Sequence, residues 1–281
     1  MIPFYRLSGG GNDFLALAEP VSDPSADHIR AWCRRGVSLG ADGLFVLRRD
    51  GDQVTMTHFN ADGGRAELCV NGARCAARLA MHLGWTDETV RLSTDSGRIE
   101  AESRPGQRVA LTLKPPTTRP SPLRLDVEGQ SIDGHRMVVG TPHLVIEWTD
   151  DLSSAPVEAL GPALRSHPDL GPPGANVHWV HFGSEAAFSI RSFERGVEAE
   201  TLACGSGVLA AAAVGVWTGE LTLPTRAETR GGFVFEITGE VVDRRLREWS
   251  LVGDARLIAS GEIVPGGSRL PTPPGWAGDD A

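Results

Sequence analysis

Two stretches of the sequence decide how the rest of it is interpreted: Cys69-Val70-Asn71-Gly72-Ala73-Arg74 and Cys204-Gly205-Ser206-Gly207-Val208-Leu209. Each places a cysteine directly before a glycine-containing turn that continues into an alanine-rich helix. Unpaired backbone N–H groups and the positive end of the helix dipole stabilise a thiolate there, so we expect both thiol pKa values to lie below the usual value of about 8.5. The same N–H groups can hold a ligand carboxylate. The pair predicts two lobes that face one small anionic molecule, with a thiol on each side.

The composition limits the classes of protein to consider. A chain of 281 residues suffices for two domains of roughly 100 to 150 residues each. The formal net charge of −9 comes from scattered acidic residues, which disfavours a nucleic-acid partner. No apolar run reaches the roughly 18 residues that cross a bilayer, and the N-terminus lacks the regions of a signal peptide. We therefore expect no membrane association and a cytoplasmic location.

The numbers of cysteines and lysines argue against a disulfide framework and against pyridoxal phosphate chemistry. Four cysteines, at positions 33, 69, 75 and 204, do not make a disulfide framework in a chain of this length. Of 27 basic residues only Lys114 is a lysine, and it lies before a proline-rich connector, which disfavours a pyridoxal phosphate Schiff base. The sequence contains no dinucleotide or phosphate-loop motif, and its histidines lack metal-ligand spacing. We expect neither a cofactor nor a metal.

Hydrophobic patterning predicts strands, then a helix, then strands, and the order repeats in the second half. Helices are predicted at 27–35, 71–83 and 205–216. Strands are predicted at 4–7, 14–18, 43–48, 54–60, 90–93, 97–103, 108–113, 137–139, 144–148, 177–182, 188–193, 222–228, 232–238, 240–246 and 249–258. Helices 71–83 and 205–216 are apolar nearly all round, as expected for helices buried inside a curved sheet.

The predicted fold class is therefore α+β, with two pseudo-symmetric lobes, each a curved strand barrel around a central helix. We place the lobes at 1–125 and 126–265, expect the last strand to return to the first lobe, and expect a flexible tail at 266–281.

A series of motifs in the same order along roughly residues 4–260 resembles the diaminopimelate epimerase family. They are Gly11-Asn12-Asp13-Phe14, Gly40-Ala41-Asp42-Gly43, Phe59-Asn60-Ala61-Asp62-Gly63, Cys69-x-Asn71-Gly72-Ala73-Arg74-Cys75, Gly140-x-Pro142-His143, Asn176-Val177, Glu194-Arg195-Gly196 and Glu200-Thr201-x-Ala203-Cys204-Gly205-Ser206-Gly207. The resemblance implies a cofactor-independent epimerase in which one thiolate removes the α-proton and the other thiol donates to the opposite face.

Carried over by position, the resemblance assigns roles to individual residues. It implies that Cys69 and Cys204 are the catalytic pair. The backbone amides of the residues that follow them would hold the α-carboxylate; these residues are Val70, Asn71, Gly205 and Ser206. Asn12, Asn60, Asn176 and Arg195 would grip the far end of the substrate, and Glu194 would meet an ammonium group. His143 and Glu194 could also tune the thiols.

Three positions depart from the family pattern: Val70 replaces a usual glycine, Thr141 a usual asparagine, and Gly43 a glutamine that binds substrate in some members. These changes keep a second hypothesis open, an epimerase or racemase for another amino acid such as a histidine or proline derivative. A third, from a different class, is a thiol redox or ligand-binding protein with a reversible Cys69–Cys204 disulfide. The first hypothesis is interconversion of LL- and meso-diaminopimelate.

Other residues have simpler interpretations. Cys33 and Cys75 do not open a helix and are predicted to be small buried hydrophobes. Taken alone, His143 is more typical of a structural hydrogen-bond partner, and Glu194-Arg195 could be a surface ion pair. Asp13, Asp42 and Asp62 are left out of the site as caps or turn formers. A small-molecule amino-acid substrate and, since family members are often dimers, a homodimer are the expected partners.

Overall fold

The structure is a computed structural model that describes residues 1–66, 69–116, 118–264 and 266–267. Within these ranges the chain forms four α-helices, namely α1 (Ala26–Cys33), α2 (Val70–His82), α3 (Val157–Arg165) and α4 (Gly205–Thr218). The strands of the first half are β1 (Ile2–Gly9), β2 (Asn12–Ala18), β3 (Gly43–Asp50), β4 (Gln53–Asn60), β5 (Arg65–Ala66), β6 (Thr89–Thr94), β7 (Gly97–Arg104) and β8 (Arg108–Leu113). Those of the second half are β9 (Ser121–Val127), β10 (Gln130–Val139), β11 (Thr141–Glu147), β12 (Asn176–Ser184), β13 (Ala187–Glu194), β14 (Ala199–Thr201), β15 (Thr225–Thr229), β16 (Val234–Val242), β17 (Arg245–Asp254) and β18 (Arg256–Ile263).

The strands form two lobes with the same topology. In the first lobe the neighbours run β18-β1-β2-β3-β4-β6-β7-β8, with β2–β3 and β4–β6 parallel and the other pairs antiparallel. In the second lobe they run β9-β10-β11-β12-β13-β15-β16-β17, with β11–β12 and β13–β15 parallel. The short strands β5 and β14 add to β4 and β13. The predicted α+β fold with two pseudo-symmetric strand lobes is confirmed.

One strand pair joins the lobes into a single sheet. β17 of the second lobe pairs antiparallel with β8 of the first, from Trp249 opposite Leu113 to Asp254 opposite Arg108. The buried indole of Trp249 donates from Nε1 to the carbonyl oxygen of Lys114 at 2.9 Å. The chain then crosses back, and β18 pairs with β1. The relative position of the lobes is therefore fixed by a backbone hydrogen-bond ladder.

Each lobe wraps around one central helix. The side chains of α4 are small or apolar, and every residue from Gly205 to Val216 except Ser206 is buried. α2 is also largely buried, although it carries the charged residue Arg74 inside the core. One hydrophobic cluster contains both helices together with the inner faces of both lobes. Gly219, at φ 93°, ends α4 in the left-handed conformation, as is common at helix C-termini.

The structure differs from the sequence prediction in several elements. α3 was missed, because Gly161 and Pro162 interrupt its pattern; Gly161 is needed there, since an added Cβ would lie 2.4 Å from the Phe193 ring. β9 was also missed, and the predicted lobe boundary at 125/126 falls inside it. The strand predicted at 232–238 falls mostly in β16, the one predicted at 240–246 crosses the turn between β16 and β17, and 249–258 contains parts of both β17 and β18.

Two expectations concern the chain as a whole. The tail predicted at 266–281 lies outside the described residues, apart from Gly266 and Gly267. In the ranges that the structure covers, no helix is both long and apolar enough to cross a membrane.

A glycine in the first turn of α4 is required by packing. A Cβ added at Gly207 would lie 2.2 Å from Cε1 of the fully buried His178 ring. We expect Gly207→Ala to lower the free energy of unfolding by about 1–3 kcal/mol, because the ring is held by its own hydrogen bonds and cannot move away freely. Urea denaturation measures this change.

Gly183→Ala is the matched control, because a Cβ there meets nothing closer than 3.9 Å. Its stability should change by about 0.5 kcal/mol or less. Equal stability of Gly207→Ala and the wild type would contradict the packing described here.

Candidate active site

The helices α2 and α4 both begin at one cleft between the lobes, with a volume of about 950 Å³. Cys69 and Cys204, the N-cap residues of the two helices, lie in its wall. Cys69 is partly exposed, whereas Cys204 is only 4% exposed. The predicted substrate-binding residues line the same cleft: Asn12, Asn60, Val70, Asn71, Asn176, Glu194, Arg195, Gly205 and Ser206.

The two helix starts are in van der Waals contact. A Cβ added at Gly205 would lie 2.9 Å from Oδ1 of Asn71 and 3.2 Å from Cβ of Val70. A side chain at position 205 would therefore crowd the first turn of α2. Both helices present their N-terminal turns to the same cleft, and helix N-termini favour anions.

The environment of Cys69 opposes the effect of its helix. The backbone N–H of Gly72 donates to Sγ at 3.4 Å, and this bond and the N–H of Asn71 lower the thiol pKa. Burial raises it by more, so the pKa of Cys69 lies above its usual value. The predicted net lowering is wrong, because the helix start acts in the expected direction but is outweighed by desolvation.

The thiol pKa of Cys204 is raised further than that of Cys69. Burial raises its pKa well above the usual value, and the negative charge of Glu194 raises it further. The hydroxyl of Ser206 lies 3.6 Å from Sγ and partly opposes the shift. Here too the predicted net lowering is wrong.

Glu194 is partly buried beside Cys204 and accepts a hydrogen bond from a hydroxyl group. Thr201 Oγ1 donates to Glu194 Oε1 at 2.5 Å. Burial raises the pKa of Glu194, while the contacts with Thr201 and Cys204 lower it. The residue is therefore part of the cleft wall, and the surface ion-pair interpretation of Glu194-Arg195 does not describe it.

Asn176 organises the rim of the second lobe. Its Oδ1 accepts from the backbone N–H of Arg195 at 2.9 Å, and its Nδ2 donates to Thr141 Oγ1 at 3.4 Å. The guanidinium of Arg195 donates to the carbonyl oxygen of Pro173 at 3.2 Å. Asn60 lies across the cleft, exposed at the end of β4 in a tight turn closed by a Gly63 N–H to Asn60 carbonyl bond of 3.0 Å.

A chain of hydrogen bonds within the first lobe ends at the start of α2. Arg74 Nη2 donates to Asn71 Oδ1 at 2.7 Å, Asn71 Nδ2 donates to Asn12 Oδ1 at 2.7 Å, and Asn12 Nδ2 donates to Asp42 Oδ2 at 3.2 Å. Arg35 continues the chain by pairing with Asp42 at 2.7 Å. Asn12 and Asn71 are therefore positioned by protein partners as well as placed at the cleft.

Sequence reasoning missed several members of this wall. Asp42 and Asp62 were left out as turn formers, although both stand inside quoted motifs, and Arg35 and His58 were not considered. Cys33 is buried as expected but also lines the cleft, and burial raises its pKa to about 11. Their charges and contacts depend on strand pairings that the sequence patterns did not specify.

His143 lies behind the cleft wall. It is fully buried, with Nδ1 2.9 Å from Nε2 of His178 and Nε2 3.2 Å from the carbonyl oxygen of Val139. Burial lowers its pKa to about 4, so the ring is uncharged at neutral pH. Its link to the cleft runs through Thr141 Oγ1, 3.4 Å from Nε2. A tuning role of His143 stays a prediction, and at neutral pH it would not act through a positive charge.

Comparison with known proteins identifies close relatives. The family model described as diaminopimelate epimerase matches residues 4–116 and 137–257. The chain is 34% identical over 275 residues to the diaminopimelate epimerase of Aquifex aeolicus, covering 92% of this chain and 97% of that protein. It is 36% identical over 281 residues to that of Gemmatimonas aurantiaca, covering 93% and 99%.

Solved structures with the same architecture are more distant in sequence. A probable proline racemase from Agrobacterium radiobacter K84 superimposes with a TM-score of 0.72 at 14% identity, covering 99% of this chain and 98% of that one. A hydroxyproline epimerase from Agrobacterium vitis gives 0.70 at 15% identity, covering 97% and 96%. At such identities the likeness shows the fold alone.

The charge of Glu194 should be measurable at Cys69. In a Cys204→Ala background, we expect alkylation of Cys69 by iodoacetamide to reach half its maximal rate above pH 8.5, the rough value for a free thiol. Glu194→Gln should move this midpoint to lower pH, because removing a nearby negative charge lowers a thiol pKa. The rate at each pH is read by mass spectrometry of the Cys69 peptide.

Glu240→Gln, an exposed position on β16, is the control and should leave the midpoint unchanged. A Glu194→Gln profile that superimposes on that of the parent would show that Glu194 does not act on Cys69.

Proposed function

Because the chain belongs to the diaminopimelate epimerase family, we propose that it interconverts LL- and meso-2,6-diaminopimelate by proton transfer at the α-carbon between Cys69 and Cys204. Membership makes the chain an isomerase. The reaction would serve lysine and cell-wall synthesis. The enzyme would act in the reducing cytoplasm, where its thiols stay free, as a homodimer.

The single observation that carries the proposal is the meeting of two cysteine-capped helix starts in one cleft. Val70, Asn71, Gly205 and Ser206 line the cleft at the two helix starts, and their backbone N–H groups would hold an α-carboxylate between the lobes. With the carboxylate at that point, the α-carbon would have one helix start, and so one thiol, on either side. Inversion of a stereocentre requires this arrangement.

The chemistry then proceeds in two proton transfers. One cysteine thiolate takes the α-proton, and the electron pair of the broken C–H bond spreads onto the α-carboxylate. The helix N–H groups stabilise that added negative charge. The opposite thiol donates its proton to the other face of the carbon and becomes a thiolate. No atom is lost, and the enzyme ends with the protonation states of the two thiols exchanged.

The raised thiol pKa values fit this task. A thiolate with a higher pKa is a stronger base toward a weakly acidic α-proton. The cost is that fewer thiolates exist in the free enzyme at neutral pH. A bound substrate that excludes water and carries an ammonium group beside Glu194 would cancel part of the charge that disfavours the Cys204 thiolate.

The far end of the substrate has suitable partners at the rim. Arg195 offers a planar fork for a carboxylate, and Asn60 and Asn176 add amide groups from opposite lobes. Glu194 supplies the negative charge for an ammonium group.

A second candidate, an epimerase for another amino acid, is favoured by two departures in the cleft. Val70 adds bulk that faces Gly205, and Thr141 offers one hydroxyl to Asn176 where the family has an amide. Both changes affect substrate choice more than proton transfer.

The two-thiol mechanism predicts isotope exchange. Incubation with diaminopimelate in deuterated water should introduce deuterium at the α-position, read by NMR or mass spectrometry. Cys69→Ala and Cys204→Ala should each slow epimerisation by roughly 10²- to 10⁴-fold, because each removes one of the two proton carriers.

Cys75→Ala is the matched control, since Cys75 is a buried thiol on α2 away from the cleft. Exchange that persists undiminished in both the Cys69 and the Cys204 variant would overturn the mechanism.

Substrate choice and redox state are tested together. We expect diaminopimelate to be turned over faster than proline, hydroxyproline or histidine, and turnover to require reductant, because a Cys69–Cys204 disulfide removes both proton carriers. A preference for one of the other amino acids would favour the second candidate. Activity that increases on oxidation would instead support the thiol redox hypothesis.

A further inference from the structure

His58 is a cleft residue for which the fold provides no partner. It lies on β4, two residues before Asn60, so the two side chains are on the same face of the strand. It lines the cleft and is only 6% exposed. Neither ring nitrogen has a hydrogen-bond partner within the part of the chain that the structure describes.

This lack of partners is unusual for a buried histidine. Burying a polar group without a hydrogen bond costs free energy, and most buried polar atoms in proteins have a partner. The buried rings of His143 and His178 follow the rule, since they bond to each other and to Val139 and Ser192. The two unpaired ring nitrogens of His58 therefore indicate that their hydrogen-bond partners come from outside the protein.

The ring position is determined by Gly43. Residues 43 and 60 are opposite each other in the β3–β4 ladder. A Cβ added at Gly43 would lie 3.1 Å from Nε2 of His58 and 2.7 Å from the carbonyl oxygen of Phe59. The imidazole thus occupies the space that a longer side chain at position 43 would need. Phe14 packs against it edge-on, with ring centroids 5.8 Å apart at 71°, and so restricts its orientation.

The ring carries no charge under ordinary conditions. Burial lowers its pKa to about 4. A neutral imidazole has one N–H donor and one acceptor nitrogen, and it can bond to an ammonium or a carboxylate group without adding charge to the cleft.

We propose that His58 is a substrate-contacting specificity residue, whose ring forms a hydrogen bond with a polar group of the bound amino acid in the space opposite Gly43. This rests on the proposed function of the cleft and adds a recognition contact from the first lobe. It also gives Gly43 a role, because only a residue without a side chain leaves room for the ring.

The test compares two replacements of the ring. His58→Phe keeps an aromatic ring against Phe14 but has no nitrogen, whereas His58→Gln carries an amide that can reach the position of Nε2. We expect His58→Phe to raise KM for diaminopimelate about tenfold, the effect of one lost hydrogen bond, with a smaller change in kcat. His58→Gln should recover part of the loss. His181→Phe, outside the cleft, is the control for histidine removal and should leave KM unchanged.

A second measurement detects the contact directly. In protein labelled with ¹⁵N-histidine, the ring nitrogen signals of His58 should shift when diaminopimelate is added, and those of His181 should not. An unchanged KM in His58→Phe, or unmoved His58 signals in the wild type at saturating substrate, would overturn the proposal. A loss of thermal stability and kcat at constant KM would do so too, since it would indicate a structural role.

These outcomes are separate from failure of the proposed function. If wild-type enzyme exchanges no α-proton of diaminopimelate, the function is wrong, whatever the His58 variants do. If the wild type is active and the His58 signals stay in place, only the present inference fails.

Discussion

The first turns of α2 and α4 meet at the cleft, and the fold has to hold them there. Two helix starts that face each other bring two partial positive charges together, which is unfavourable without an anion between them. Gly205 permits the approach, because Val70 and Asn71 occupy the space that a side chain would need. The shared hydrophobic core and the β8–β17 ladder hold the helices in place against the repulsion.

Charged side chains near the two helix starts change the electrostatic environment of the thiols. Arg74 is a fully buried cation that stacks on Phe235, 4.9 Å from the ring centroid, and orients Asn71 from beneath. Glu194, held by Thr201, supplies a negative charge beside Cys204. Burial has the largest effect on the pKa of each thiol, Glu194 raises the pKa of both, and Arg74 lowers the pKa of Cys69. Their proton affinity is therefore set by burial first and by the helices second, the reverse of what the local motif suggests.

The sequence predicted the parts of the molecule that depend on local pattern. The helix at Gly205–Thr218 has a continuous apolar composition and a terminal glycine, so its extent and burial followed directly. The cysteine-capped turns and the surrounding motifs indicated which residues meet at the cleft. α3 was missed because Pro162 interrupts the helical pattern and Gly161, a poor helix former, is present there to pack against Phe193. Asp42, Arg35 and His58 were missed because their significance depends on strand register and on the absence of partners, which only the folded chain reveals.

The return of β18 to the first lobe affects how the chain folds during translation. β1 precedes the other described strands along the chain, yet one of its two neighbours is β18, with Ile2 opposite Ile263. The second lobe can complete its own ladder earlier, because β9 to β17 are contiguous in the chain. Contacts of such long sequence separation form slowly. One edge of β1 therefore stays unpaired until β18 has been synthesised, and a nascent chain that stalls before β18 presents that edge to other molecules.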